Sequence, residues 1–227
     1  KGSITTSTTS TAYAAGIVAY GNSATVENCT NKVHVTATQK GYVAGVIAYA
    51  SASSVIKGCK NTEIISGCGD YVGGICANAS KSSITNCLNS GVISNSGKPS
   101  SYSYNTGGIA GSIDVSSISM CGNTGTITST LKRTGGIAGS IGAYSGGGSV
   151  DKSFNTGTIT GIYGVGGIVG DAAGTDSSIS DCYNQGNVTA QSPTPTFSDT
   201  NAKGVGGIIG GVSSNTITGI TLSNCYS

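Results

Sequence analysis

Charge is scarce in this chain. Asp, Glu, Lys and Arg make up 9% of its 227 residues, and 11 bases against 9 acids leave a formal net charge of +2. That balance argues against nucleic acid as a partner, because such binders draw their affinity from a basic face. It equally argues against electrostatic capture by an anionic membrane surface. Tryptophan is absent, and methionine and histidine occur once each. With His34 alone and no H-E-x-x-H motif, neither a zinc peptidase nor a Ser-His-Asp triad has much to be built from. No apolar run approaches the roughly 18 residues a membrane helix needs, so membrane insertion is not expected. No signal peptide is recognisable, and a start at Lys1 reads as a processed or excised piece of a longer precursor. Helical periodicity is missing too: no segment places apolar residues at i, i+3, i+4 and i+7 over two turns, and 38 glycines disfavour helix throughout.

What is present is a repeat. Thr106-Gly107-Gly108-Ile109-Ala110-Gly111 returns at Thr134–Gly139, Val165–Gly170 and Val205–Gly210, with weaker copies around Gly74, Gly45 and Gly16. Taking Gly16, Gly45, Gly74, Gly108, Gly136, Gly167 and Gly207 as anchors, the spacings are 29, 29, 34, 28, 31 and 40. A second mark, Cys-x-Asn, follows most anchors: Cys29/Asn31, Cys59/Asn61, Cys87/Asn89, Cys121/Asn123 and Cys182/Asn184, with Ser153 replacing Cys before Asn155. Three residues before each of these positions stands Val26, Ile56, Ile84, Ile118, Val150, Ile179 or Leu222. Four residues after each Asn stands Val35, Ile65, Ile93, Ile127, Ile159 or Val188, always followed by Ser or Thr.

Each repeat therefore holds three short β-branched segments separated by Gly, Asn and Ser turns, which are strand signals. Three such strands cannot bury a core alone. Stacked turn on turn, each pairs in parallel with its counterpart about 4.8 Å away, and its inward residues form ladders. The expected fold is all-β: a right-handed parallel β-helix, or β-solenoid, of about seven three-stranded coils, with residues 1–227 as one continuous domain. Paired glycines mark a corner where a Cβ would clash. The Asn rank is expected to stack amide on amide.

Gly-Gly-Ile-x-Gly followed by Ser-Ile-x-x-Cys-x-Asn-x-Gly-x-Ile-Thr resembles the GLUG repeat of bacterial surface proteins. Such repeats occur in large adhesins and in non-catalytic regions of IgA-cleaving peptidases. The resemblance spans essentially the whole chain, with Ile in place of the family's usual Leu and Ala for a Gly in the first two copies. It implies a bacterial cell-surface or extracellular location. It also implies no catalytic residue, because the repeat carries none.

The search for chemistry agrees. Six of eight cysteines occupy one ladder position, where Cβ atoms stay near the strand spacing of about 4.8 Å, too far apart for a disulfide's ~3.8 Å. Free, buried, packing thiols are expected, with Cys76 also in the core. A bridge between Cys76 and Cys68, which lies in a corner loop, stays open as an alternative. No C-x-x-C pair exists to hold a metal, and no cofactor is expected. The nine acids fall at different repeat positions; Asp151 and Asp181, on adjacent coils, read as solvated turn carboxylates. Ice binding would need regular Thr-x-Thr ranks; Thr126-x-Thr128 and Thr158-x-Thr160 match, but the same column elsewhere carries His34, Ile64, Val92 and Asn187.

Two functional expectations remain. The first is a structural element of a bacterial extracellular assembly, a stalk or a fibre unit stacking head to tail. Ser227 stands where full repeats carry Asn, and Lys1-Gly2-Ser3-Ile4-Thr5 supplies the positions that would follow. Joined ends would place Lys1, Gly2, Ser3, Ile4 and Thr5 against Leu222, Cys225 and Ser227 and build a non-closing filament of roughly 34 Å per unit. The competing account of these ends is a longer covalent array. The second expectation is an adhesin module. Two long insertions enter at one corner, 95–105 with Tyr102 and Tyr104, and 190–203 with Phe197, and these three aromatics are its candidate contacts for a glycan or host protein.

Overall fold

The computed structural model describes residues 2–7, 11–96, 104–142, 146–191, 204–212 and 219–227. Every strand pairs in parallel with its counterparts one repeat away, and the pairs assemble into five sheets running along one axis. The third turn shows the pattern. It enters sheet 1 at Tyr71–Gly73, turns through Gly74 and Ile75, and runs along sheet 2 at Cys76–Ser80. Sheets 3, 4 and 5 follow at Ser83–Thr85, Leu88–Asn89 and Ile93–Asn95. Sheet 4 has six strands and each of the others seven. The chain is thus a parallel β-solenoid of about six complete turns, from Ala12–Ala15 to Val188–Ala190. Ser3–Thr6 adds a strand to sheet 5 before them, and Val205–Gly206, Ile209–Val212 and Ile220–Ser223 start a further turn after them. No described residue is helical, and no helix is long and apolar enough to cross a membrane.

Five strands per turn correct the expected three. Gly-Gly-Ile divides one β-branched segment into two strands, while its backbone goes on bonding to the next turn: Gly45 N donates to Gly74 O at 3.1 Å. The Asn-bearing stretch, expected as a turn, is itself a two-residue strand.

The register follows the repeat columns. Val26, Ile56, Ile84, Ile118, Val150, Ile179 and Leu222 stack in sheet 3. Val35, Ile65, Ile93, Ile127, Ile159 and Val188 stack in sheet 5, with the Ser/Thr column beside them. Two cores result. One packs sheets 2 and 3 around the arc residues Val46, Ile75, Ile109, Ile137 and Ile168 and the ladder cysteines. The other packs sheet 5 against Ala14, Val43, Val72 and Val165 of sheet 1.

Just before each ladder cysteine the chain bends through the left-handed region, at Asn28, Gly58, Asn86, Met120, Lys152, Asp181 and Asn224, with φ from 47° to 63°. Asn, Asp and Gly tolerate that conformation, and five of the seven positions carry them.

Candidate functional site

One corner is regular from end to end. Asn31 Nδ2 donates to Asn61 Oδ1, and the same 2.7 Å bond recurs from Asn61 to Asn89, Asn89 to Asn123, Asn123 to Asn155 and Asn155 to Asn184. Each amide also donates to the carbonyl two residues on, such as Gly91 O from Asn89 at 3.0 Å. The ladder therefore has a direction, donor toward the C-terminal end. The second glycine of each pair lies against it: a Cβ on Gly108 would meet Gly136 O and lie 2.5 Å from Asn123 Cγ. Beside it run the cysteines. All eight are free, so Cys68 and Cys76 are not bridged, and Cys76 is buried. Cys59, Cys87, Cys121 and Cys182 are buried, whereas Cys29 and Cys225, in the outermost turns, are half-buried. Ser153 fills its place isosterically, accepting from Cys121 N at 3.1 Å and donating to Asp151 O at 2.8 Å.

Charged groups meet neighbours at several separate places among the described residues. His34 Nε2 lies 3.1 Å from Glu63 Oε2 at a half-exposed edge of sheet 5. Asp181 accepts from Asn224 Nδ2 at 3.0 Å, and Asp151 lies 3.7 Å from Lys152 Nζ, so those two acids are engaged separately. No group of three or more His, Cys, Asp or Glu among the described residues could hold a metal ion. A shallow serine-lined groove of about 780 Å³ lies between sheets 2 and 3. Its inner hydroxyls are used by backbone: Ser54 Oγ accepts from Ala24 N at 3.0 Å and Ser116 Oγ from Ser82 N at 2.9 Å.

A second feature is a slot. The Gly-Gly arc folds sheets 1 and 2 face to face so closely that a Cβ on Gly111, in sheet 2, would lie 2.9 Å from Val72 N and 3.0 Å from Asn105 O of sheet 1. Toward the N-terminal end the slot is filled by tyrosine. Tyr13, Tyr42 and Tyr71 occupy one column of sheet 1, with successive rings stacked 4.9 Å apart. Tyr20 and Tyr49 occupy the facing column of sheet 2, stacked at 5.3 Å, and meet the first column edge to face. The sheet 2 column then changes character to Asn78, Ser112, Ser140 and Asp171. Ser112 and Ser140 are fully buried, and their hydroxyls have no hydrogen-bond partner among the described residues; the same holds for the amide of Asn105 across the slot. Farther along, Arg133 Nε lies 2.9 Å from the buried Asp171 Oδ2. The Nε–H is not aimed along that contact, so the pairing there is coulombic.

At the mouth of the slot, where the tyrosine column gives way to Asn78, a recess of about 370 Å³ opens. Its walls are Tyr42, Tyr49, Asn78, Ser80 and Asp114. Burial, with Tyr20, Tyr13 and Asp114 adding to it, holds the Tyr49 hydroxyl above its ordinary pKa, so it remains a donor.

The residues expected to bind lie elsewhere. Tyr104 is buried at 1% exposure, which corrects its assignment as a surface contact. Tyr102, Phe197 and Lys1 lie outside the described residues. Ser3, Ile4 and Thr5 pair with His34, Val35 and Thr36, next to Gly2, at one end of the stack. Leu222 pairs with Ile179 at the other end, near Cys225 and Ser227. Sequence reasoning missed the slot tyrosines, although Tyr13, Tyr42 and Tyr71, and likewise Tyr20 and Tyr49, recur every 29 residues. Fold and site together define a parallel β-solenoid with an aromatic slot. Comparison with known proteins adds no relative: no family model, no curated protein and no solved structure matches this chain.

Proposed function

We propose that the chain is a non-catalytic structural element of a bacterial extracellular or cell-surface assembly, a stalk or fibre whose turns continue end to end. In this reading it is a GLUG-type repeat region, wound right-handed, with its outer turns completing a seventh coil against a neighbour. The carrying observation is the directed Asn ladder. Every rung from Asn31 to Asn184 donates in the same direction, and only head-to-tail stacking carries that direction on into a neighbour. Supporting it, the last turn exposes Val205, Leu222 and Tyr226, each a member of a ladder that is buried or stacked in earlier turns. The neighbour is a second copy or further repeats. Electron microscopy of the purified chain tests self-stacking. Unbranched filaments with turns repeating at about 4.8 Å are expected; particles that stay single at high concentration would leave only covalent continuation.

A second reading, an adhesin module for a glycan or host protein, is favoured by the tyrosine recess.

A further inference from the structure

We propose that the recess at Tyr49 binds a neutral pyranose ring of a glycan, seated as the missing third ring of the sheet 2 tyrosine column. The proposal rests on the adhesin reading and is independent of stacking into filaments.

The columns facing each other across the slot are unequal. Sheet 1 has three rungs, Tyr13, Tyr42 and Tyr71, whereas sheet 2 has two, Tyr20 and Tyr49, followed by Asn78. Tyr42 is covered on both faces, by Tyr13 and Tyr71. Tyr49 is stacked on one face only, by Tyr20. Asn is much shorter than Tyr, so the recess opens where the next ring of the column would lie. A flat ligand ring there would extend the stack at its own spacing of about 5 Å, within the range of offset aromatic packing.

The surrounding groups select the chemistry of that ring. Asn78 is 4% exposed, and its side-chain amide borders the recess. A buried amide in that position calls for a partner. Ser80 and Asp114 pair in register at the strand ends of adjacent turns and close one side of the recess. The Tyr42 and Tyr49 phenols complete a rim of a carboxylate, an amide and three hydroxyls. A pyranose presents an apolar C–H face to Tyr49 and a ring of hydroxyls to that rim. An aromatic side chain offers the face without the hydroxyls and would cover the Asn78 amide without giving it a partner, while Asp114 would keep only its bond from Gly146 N at 3.4 Å. Asp114 also sets a sign: it accepts from neutral hydroxyls and repels an acidic sugar. A volume of about 370 Å³ suits one ring or two, at the small end of the about 300–1,000 Å³ of ligand pockets.

The test is NMR titration of the purified chain with methyl β-galactoside, methyl β-glucoside, methyl α-mannoside, methyl β-glucuronide and N-acetyl-tyrosinamide. Shifts are read at the Tyr ring protons and the Asn78 side-chain amide. At least one neutral glycoside should saturate those signals, and the glucuronide should bind at least about tenfold more weakly. Asn78→Tyr, which fills the rung, should abolish binding while thermal stability is retained. Asp114→Asn should weaken the neutral sugar and narrow the gap to the acidic one. Retained binding in Asn78→Tyr, binding of N-acetyl-tyrosinamide alone, or no neutral glycoside binding would overturn the proposal. Filament formation scored on the same samples reports separately on the structural reading.

Discussion

The Asn–Gly corner and the slot between sheets 1 and 2 are built from the same turns, yet they obey different rules. Along the corner, six asparagines hold one position and bond identically. Along the slot the side chain changes from Tyr to Asn to Ser to Asp in successive turns. The corner propagates geometry: an amide that both donates and accepts along the axis works only if its neighbours are amides too. In the slot, each side chain need only fit between two walls already fixed by the glycines. Constancy there would add nothing to the fold, and variation makes room for a recess.

Breaking the corner should have the largest effect. Gly108→Ala drives a Cβ into Gly136 O and the Asn123 side chain, and should cost about 3 kcal/mol or more, or prevent folding, as read by urea denaturation. Asn89→Ala comes next. It leaves Asn61 Nδ2 without its ladder acceptor and Asn123 Oδ1 without its donor, both buried, for about 3 kcal/mol. The matched change in the slot, Ser112→Ala, removes a buried hydroxyl that has no partner among the described residues and should lie within about 0.5 kcal/mol of neutral, or stabilise. Equal costs for Asn89→Ala and Ser112→Ala would erase the distinction between the two regions.

The cysteine ladder sharpens the comparison through pH. The Cys121 sulfur, then burial, raise Cys87 from its ordinary 9.0 to about 12, and burial raises Cys182 to about 12. A thiol whose folded pKa is raised contributes stability that is fully present below about pH 9 and is lost as pH climbs toward about 12. The urea midpoint should therefore fall between pH 8.5 and pH 10.5, on the order of 1 kcal/mol per pH unit for each such thiol. Cys182→Ser, which copies Ser153, should fold and show a shallower fall; an unchanged midpoint would mean the thiols are not held neutral. Thiol counting should find all eight in denaturant without reductant, with Cys59, Cys87, Cys121 and Cys182 unreactive in the native state. The smallest effect is a gain. Met120 sits at φ 52° where five of the other six turns carry Asn, Asp or Gly, so Met120→Asn should stabilise by about 1 kcal/mol.

Much of this was legible in the sequence. The Ile, Cys, Asn and Ser/Thr columns read from spacing are the columns that pair, because a solenoid translates sequence period directly into neighbours. The Asn stack and the close approach at Gly-Gly were likewise readable, since only those residue types answer those demands. The strand count was not. Whether Gly-Gly-Ile rounds a corner of one strand or folds one strand back on another depends on backbone angles that the spacing does not encode. Attention to loop aromatics led to Tyr104, which is buried, and away from Tyr49.

The sequence by itself determined the axis, the parallel register and the identity of every ladder, because residues one period apart must become neighbours in any stacked turn. Only the tertiary structure decided that sheets 1 and 2 face each other. That closure depends on glycine backbones in sheet 2 reaching the backbone of sheet 1, contacts between segments with no periodic relation. The closure turns two separate tyrosine columns into one slot, and the early end of the shorter column into a recess.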